Sequence, residues 1–478
     1  MRGQSGMLRN LGILTAAQVA AQLLNVVALV YLARRVGAHW FGVLQVGVAV
    51  MAYALIIAEW GLFSSGVRAV SRLDRPADVR LYARRHAGLM GVLACVVLAV
   101  GSLVLPRLPF FREDPWIFLL YLLAVVPQVL MFDWVGVGIE RMTWPAAAKV
   151  VRSLVYAGAV LLLLAPLHGV LGWPDRRWVP LLLLFSLAVG NLVMAVPLAR
   201  WLGGPVWPAF GGLADWRARL AVVAPLGGAI VVMRVLLNAD IVALGLLAPP
   251  NVAGGYAAAA KIVFVLVTAV EVLWNALLPR LSRLWRESPT RFRARLALYL
   301  GLVLALFAPA AAGGAALGGS FVHALYGAQF PNAGVVFRLL SVSYVVLAIG
   351  QFFGNALVAS DRQRAAFPPV AAAAVVAIAM AALLIPRAGA AGAAVAMLLA
   401  HVTLLAGSAW ACRRLIGRRL GEVAGITVTA AVVMGFTVAR VGTVWPLAAA
   451  IVAGIALYAA LAGWPLWRWY RRARAEAA

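Results

Sequence analysis

Acidic residues and cysteines are scarce in this sequence of 478 residues: fifteen Asp and Glu together, and two Cys. Cys95 falls inside one apolar stretch and Cys412 at the end of another, so they offer neither a disulfide framework nor a set of metal ligands. Charged residues of either sign make up only 12%, which leaves almost nothing for a soluble domain. The chain has no glycine-rich phosphate loop with its Lys and Ser/Thr, so no ATPase is fused to it. It also has no module of interleaved aromatic and basic residues of the kind that binds nucleic acid. The loops between apolar stretches are short, and those on one side are nearly free of acids. That argues against an integral-membrane polymerase or transferase, which would need catalytic carboxylates outside the bilayer. The chain reads as a non-enzyme, with no cofactor and no metal.

What is abundant is apolar: 65% of the residues are hydrophobic, and mean hydropathy is +0.97. Runs of about 20 such residues each suffice to cross a bilayer. The expected fold is an all-α, polytopic membrane protein of about 14 transmembrane helices. They are placed at about 10–33, 40–66, 82–106, 115–138, 144–166, 178–200, 218–247, 251–279, 294–316, 333–358, 366–386, 388–412, 421–440 and 444–466. The first is read as a retained helix, not a cleaved signal. The segment 318–332, bounded by Gly and Pro, reads as a short interfacial helix. Arg and Lys are concentrated in the even-numbered loops and the tail, by about 28 to 8 over the odd ones. The bias puts both termini in the cytoplasm and accounts for most of the net charge of +26, a membrane-surface signal.

A shift of 212 residues lays Gly42 on Gly254, Glu59 on Glu271 and Arg68 on Arg280. The repeat suggests two six-helix lobes in parallel orientation. It divides the chain into an N-terminal lobe (1–205), a C-terminal lobe (206–415), and two accessory helices with a basic tail (416–478). Charges then stand out where they are least expected. Glu59, Asp133, Arg152, Arg234, Asp240, Lys261 and Glu271 all lie within or beside apolar spans. Each costs roughly 3 kcal/mol at the bilayer centre, so such residues line a wet cavity or pair with one another.

Several segments carry a family resemblance. "LARRVGAHWFGVLQVGVAVMAYALIIAEWGL", "FDWVGVGIERMTWPAAAKVVRSLVYAG" (132–158), "LNADIVALGLLAPPNVAGGYAAAAKIVFVL" (237–266), "HALYGAQFPNAGVVFRLLSVSYV" (323–345) and "GNALVASDRQRAAF" (354–367) occur in the expected order. They resemble the polysaccharide and oligosaccharide-lipid flippases of the multidrug/oligosaccharidyl-lipid/polysaccharide exporter superfamily. The resemblance implies translocation of an undecaprenyl-pyrophosphate-linked oligosaccharide from the inner to the outer leaflet of the bacterial plasma membrane. It implies alternating access of the two lobes, for surface polysaccharide synthesis. Membrane lipids and other polysaccharide-assembly membrane proteins would be its partners. Multidrug or small-molecule exporters and peptidoglycan-precursor flippases share the fold and stay open as alternatives.

Such a substrate needs cations for its pyrophosphate and neutral hydrogen-bonding groups for its sugars. Lys149 and Arg152 are three apart and share a helical face; they are phosphate candidates, or else they snorkel to headgroups. Arg234 and Lys261 are their counterparts in the second lobe, or form pairs with Asp240 or Glu271. Asp133 and Glu140, seven apart, would share a face; with Glu59, Asp240 and Glu271 they either neutralise these cations or couple turnover to H⁺ or Na⁺. Gln18, Gln22 and Asn25 form a polar stripe on the first helix and Gln351 and Asn355 one on the tenth. Either stripe suits sugar hydroxyls or interhelical hydrogen bonds.

Overall fold

The computed structural model describes the backbone of residues 2–171, 175–413, 415 and 418–477. Side chains are described over 20–164, 176–413, 415 and 421–472, apart from residue 109 and stretches of the helices covering 213–247 and 250–287. The described residues are helices, turns and bends, with no strand. Ten of the helical segments among them are long and apolar enough to cross a membrane, so the chain is a multi-pass membrane protein. Large side chains such as Leu162, Val222, Phe436 and Ile455 are exposed, as lipid-facing residues must be. Its contacts divide into two compact units, Met1–Asn251 and Val252–Ala478. The repeat placed its first boundary at 205/206. By contacts, the helix from Leu213 packs with the first unit, and the last two helices pack with the second.

In the first unit, α1 (Arg2–Glu59) has 58 residues, about 87 Å if straight at 1.5 Å per residue, far more than one bilayer crossing. It breaks at Gly37, whose φ of 76° and ψ of 171° only glycine adopts freely. The expected first two spans lie on either side of this break. A second break, at Trp60 (φ 35°) and Gly61 (φ 78°), separates α1 from α2 (Leu62–Val70). α3 (Pro76–Val104) follows, with proline at its first turn.

The span expected as one helix at 115–138 is three pieces: α4 (Pro115–Leu123), α5 (Val125–Val129) and α6 (Asp133–Gly138). Pro127 lies in the middle piece and removes a backbone donor. The amide of Met131 turns to Gln128 O, and Asn191 Nδ2 takes the Pro127 carbonyl at 2.8 Å. α7 (Thr143–Leu171), α8 (Asp175–Leu202) and α9 (Leu213–Leu247) complete the unit. α9 meets the Trp60–Gly61 break at Gly227, where a Cβ would lie 2.9 Å from Trp60 O. The unit's packing is built around Trp134, Met194, Leu198 and, in a second cluster, Ala58, Leu89 and Leu122.

The second unit contains α10 (Pro250–Glu287), α11 (Pro289–Tyr326), α12 (Ala333–Ala359), α13 (Gln363–Ala411), α14 (Arg418–Val441) and α15 (Leu447–Ala477). α13 reverses at Gly389 (φ 53°): a Cβ on Gly392 would come within van der Waals overlap of the Leu384 carbonyl, eight residues earlier. In a straight helix those positions would be about 12 Å apart. The separate interfacial helix expected at 318–332 is absent. α11 runs on through Tyr326, and only the short 3₁₀ turn Gly327–Gln329 separates it from the residues leading into α12. No Pro occurs between 309 and 331 to stop it, and glycine alone merely lowers helix propensity. Both cysteines are free thiols; Cys412 is buried and directs its Sγ to Phe353 O at 3.2 Å.

Candidate functional site

The broken fourth span, α7, α8 and α1 bring polar groups together inside the first unit. α7 carries Lys149, Arg152 and Ser153 on one face, as i, i+3 and i+4 spacing requires. Lys149 is exposed and Arg152 half-buried. Arg152 Nη1 donates to Gln128 Oε1 at 3.0 Å and lies 3.8 Å from Met131 Sδ. The irregular backbone after Pro127 places both of these partners. On the other side, Gly190 of α8 makes room for the arginine stem: a Cβ there would stand 3.2 Å from Arg152 Cβ. Next to it, Asn191 holds the Pro127 carbonyl while its Oδ1 is buried without a hydrogen bond. From α1, Asn25 Nδ2 donates to Ser153 Oγ at 3.4 Å.

Asp133 feels the charges of both Lys149 and Arg152, yet none of these three belongs to an ion pair among the described residues. Its Oδ1 is buried with no hydrogen-bond partner. Arg152 is thus held by a neutral amide, and its charge is offset only at a distance. Such a cluster has a cation and under-satisfied acceptors in one place, the chemistry that receives an anionic, hydroxyl-rich group.

The other expected residues are scattered. Glu140 is exposed in the turn after α6 with φ 61°, so the helical face it was to share with Asp133 is not built. The helix ends at Gly138, before the seventh residue is reached. Glu59 is the last residue of α1, half-buried before the Trp60 break. Asp240 is buried in α9, accepts the Ile241 amide at 2.8 Å and lies near the neutral phenol of Tyr53. Gln22 is half-buried on α1, as are Lys261 on α10 and Gln351 and Asn355 on α12. The side chains of Gln18, Arg234 and Glu271 lie outside the described residues.

Sequence reasoning missed Gln128, Ser153 and Asn191. A proline followed by glutamine within an apolar run, and an asparagine after glycine, were the available signals. It also missed a clamp at the far end of the same unit. There buried Asp114 Oδ2 accepts from Arg176 Nε at 3.2 Å and Arg177 Nε at 3.0 Å, with Arg176 3.7 Å above the Trp40 ring.

Long apolar helices broken around a polar cluster are a multi-pass membrane fold in which irregular backbone is kept inside the protein, away from lipid. A sequence profile for the family described as "Polysaccharide biosynthesis protein" matches residues 7–285, and the chain belongs to that family. The resemblance read from the sequence thus named the right family; the segments up to 237–266 lie within the matched residues. No curated protein sequence matches the chain. Among solved structures, it is similar to the lipid II flippase MurJ in an inward closed conformation. That match has a TM-score of 0.74 and 12% identity, covering 94% of this chain and 97% of that one. It is also similar to an inward-facing multidrug resistance MATE transporter of the MOP superfamily, at TM-score 0.59 and 14% identity over 84% and 96%. A third is a MOP superfamily transporter from Pyrococcus furiosus whose binding pocket is described as having reverse polarity, at TM-score 0.51 and 14% identity over 86% and 94%. At these identities the likeness establishes the fold.

Proposed function

We propose that the protein is a flippase for an undecaprenyl-pyrophosphate-linked oligosaccharide, carrying it from the inner to the outer leaflet of the bacterial plasma membrane. The observation behind this reading is Arg152, a half-buried guanidinium in a membrane span that is fixed by an amide and has no ion pair. Pyrophosphate is the partner such a charge lacks, and Gln128, Asn191 and Asn25 are suited to sugar hydroxyls. Lys149, at the exposed start of α7, is the first cation a headgroup meets. Asp133 tempers the charge so that binding stays reversible, and is the acid placed best to couple turnover to H⁺ or Na⁺. In the second unit an apolar cavity of about 500 Å³ between α11, α14 and α15 is lined by Leu306, Phe321, Met434, Val438 and Ile455. Its lining suits a polyprenyl chain. The two units would alternate access, with both termini cytoplasmic as the arginine bias requires.

The fold it shares with a lipid II flippase makes a peptidoglycan precursor the second substrate to test. In liposomes, a glycan-specific probe outside the vesicle reports how fast inner-leaflet substrate appears. Purified protein should accelerate exposure of the polyprenyl-pyrophosphate oligosaccharide, and Arg152→Ala should abolish the acceleration with insertion intact. Acceleration of lipid II alone would reassign the substrate. No acceleration of either by folded protein would overturn the proposal.

A further inference from the structure

The junction of α11 and α12 carries an open polar pocket of about 290 Å³, lined among others by Gly319, Gly334 and the exposed side chains of His323, Asn332 and Arg338. Two observations make it more than a surface dent. The first is charge. From Glu287 to Glu422 the sequence contains one acid, Asp361. Asp361 lies beyond the far end of α12, 3.8 Å from Arg286. Arg338 and His323 therefore have no carboxylate on α11, on the connecting turn, on α12 or on α13.

The second is fit. The Arg338 side chain lies across Gly318 and Gly319: a Cβ on Gly318 would sit 2.8 Å from Arg338 Cγ, and one on Gly319 3.1 Å from Nη2. Gly334 in turn approaches Gly319 so closely that its own Cβ would be 2.8 Å from Gly319 Cα. Three glycines thus form a cradle that steers the guanidinium to the cavity wall. Arg338 is one and a half turns into its helix, about 8 Å from the start, and a freely snorkelling arginine would need no such cradle.

We propose that this cavity is a binding site for a phosphate group, with Arg338 as its charge partner and His323 and Asn332 as hydrogen-bonding neighbours. The group comes either from an anionic phospholipid or from a soluble phosphate. The site is separate from the Arg152 cluster and does not depend on which substrate is transported.

Native mass spectrometry of the full chain in neutral detergent tests it, titrating phosphatidylglycerol, phosphatidylcholine and inorganic phosphate in turn. Wild-type protein should hold one phosphatidylglycerol or one phosphate at least about fivefold more tightly than phosphatidylcholine. Arg338→Gln should remove that preference, with Arg364→Gln, at the start of α13, unchanged. Gly319→Val keeps the charge but displaces the guanidinium, and should lose the preference too. A preference for the lipid over free phosphate identifies a headgroup site, and the reverse a soluble ligand. Equal binding by wild type, Arg338→Gln and Gly319→Val would overturn the proposal. So would a loss confined to Arg338→Gln, which would mean unspecific charge attraction.

Discussion

Two clusters in the first unit treat charge in opposite ways. At one end, Asp114 is 1% exposed and both Arg176 and Arg177 bind one of its oxygens, with Trp40 under the first guanidinium. Negative and positive charge meet at contact distance, at the ends of α4 and α8. In the middle of α7, Arg152 has only Gln128 and Met131 in contact, while Asp133 acts on it from beyond ion-pair range. The first arrangement fastens helix ends; the second keeps a charge available where desolvation makes it costly. A buried pair resists loss of either partner, because the survivor is stranded. Removing Arg152 breaks no ion pair; it frees Gln128 Oε1 and takes a distant compensating charge from Asp133. Structural and functional charges in this chain should therefore separate cleanly by which property a mutation damages.

The largest effect is expected on the fastened side. Asp114→Asn strands two arginines that are 27% and 39% exposed, so partial rehydration softens the penalty. A loss of about 2 kcal/mol is expected, below the 3–5 kcal/mol of fully buried pairs. Thermal unfolding in detergent measures it, and transport per folded molecule should survive. Arg152→Gln is the mirror image. Stability should fall by less than in Asp114→Asn, while flipping falls roughly 10- to 100-fold with loss of one charge-assisted contact. If instead Arg152→Gln unfolds the protein and Asp114→Asn leaves stability untouched, the distinction collapses. Gly190→Val sharpens it further. The added methyl groups crowd Arg152 without removing its charge, and overpacking should cost about 1–3 kcal/mol. Transport should fall by less than in Arg152→Gln, because a displaced guanidinium still attracts phosphate.

Much of the fold was legible in the sequence because bilayer thickness imposes a length on every apolar run. The spans expected at 144–166 and 333–358 are the described helices Thr143–Leu171 and Ala333–Ala359. The polar cluster was only half legible. Charges inside an apolar run stand out, which is why Lys149, Arg152 and Asp133 were readable. A lone amide such as Gln128 or Asn191 has no periodicity: Gln128 serves Arg152, and Asn191 serves the Pro127 carbonyl left free where the Met131 amide turns to Gln128 O. That is a tertiary fact. Counting seven residues from Asp133 to Glu140 assumed a helix that stops at Gly138, and no local signal there beyond glycine gave the stop away. The interfacial helix failed for the converse reason: glycines at 318 and 319 looked like breakers but serve close packing against Arg338 and Gly334.

The smallest expected effect tests whether contact distance alone makes a pair structural. His39 Nε2 and Glu113 Oε2 are 2.7 Å apart, closer than either Asp114 contact, and belong to the same end of the unit. Both side chains, however, are more than two-fifths exposed, at 42% and 44%. Water solvates each whether or not the other is present, so little is stranded when one goes. Glu113→Gln should change stability by less than about 0.5 kcal/mol, against about 2 kcal/mol for its neighbour Asp114→Asn. Measuring both in the same detergent holds every other variable fixed. Equal losses would mean that proximity decides the outcome. A large difference would mean that burial does, and burial is also what sets Arg152 apart from the arginines of the loops.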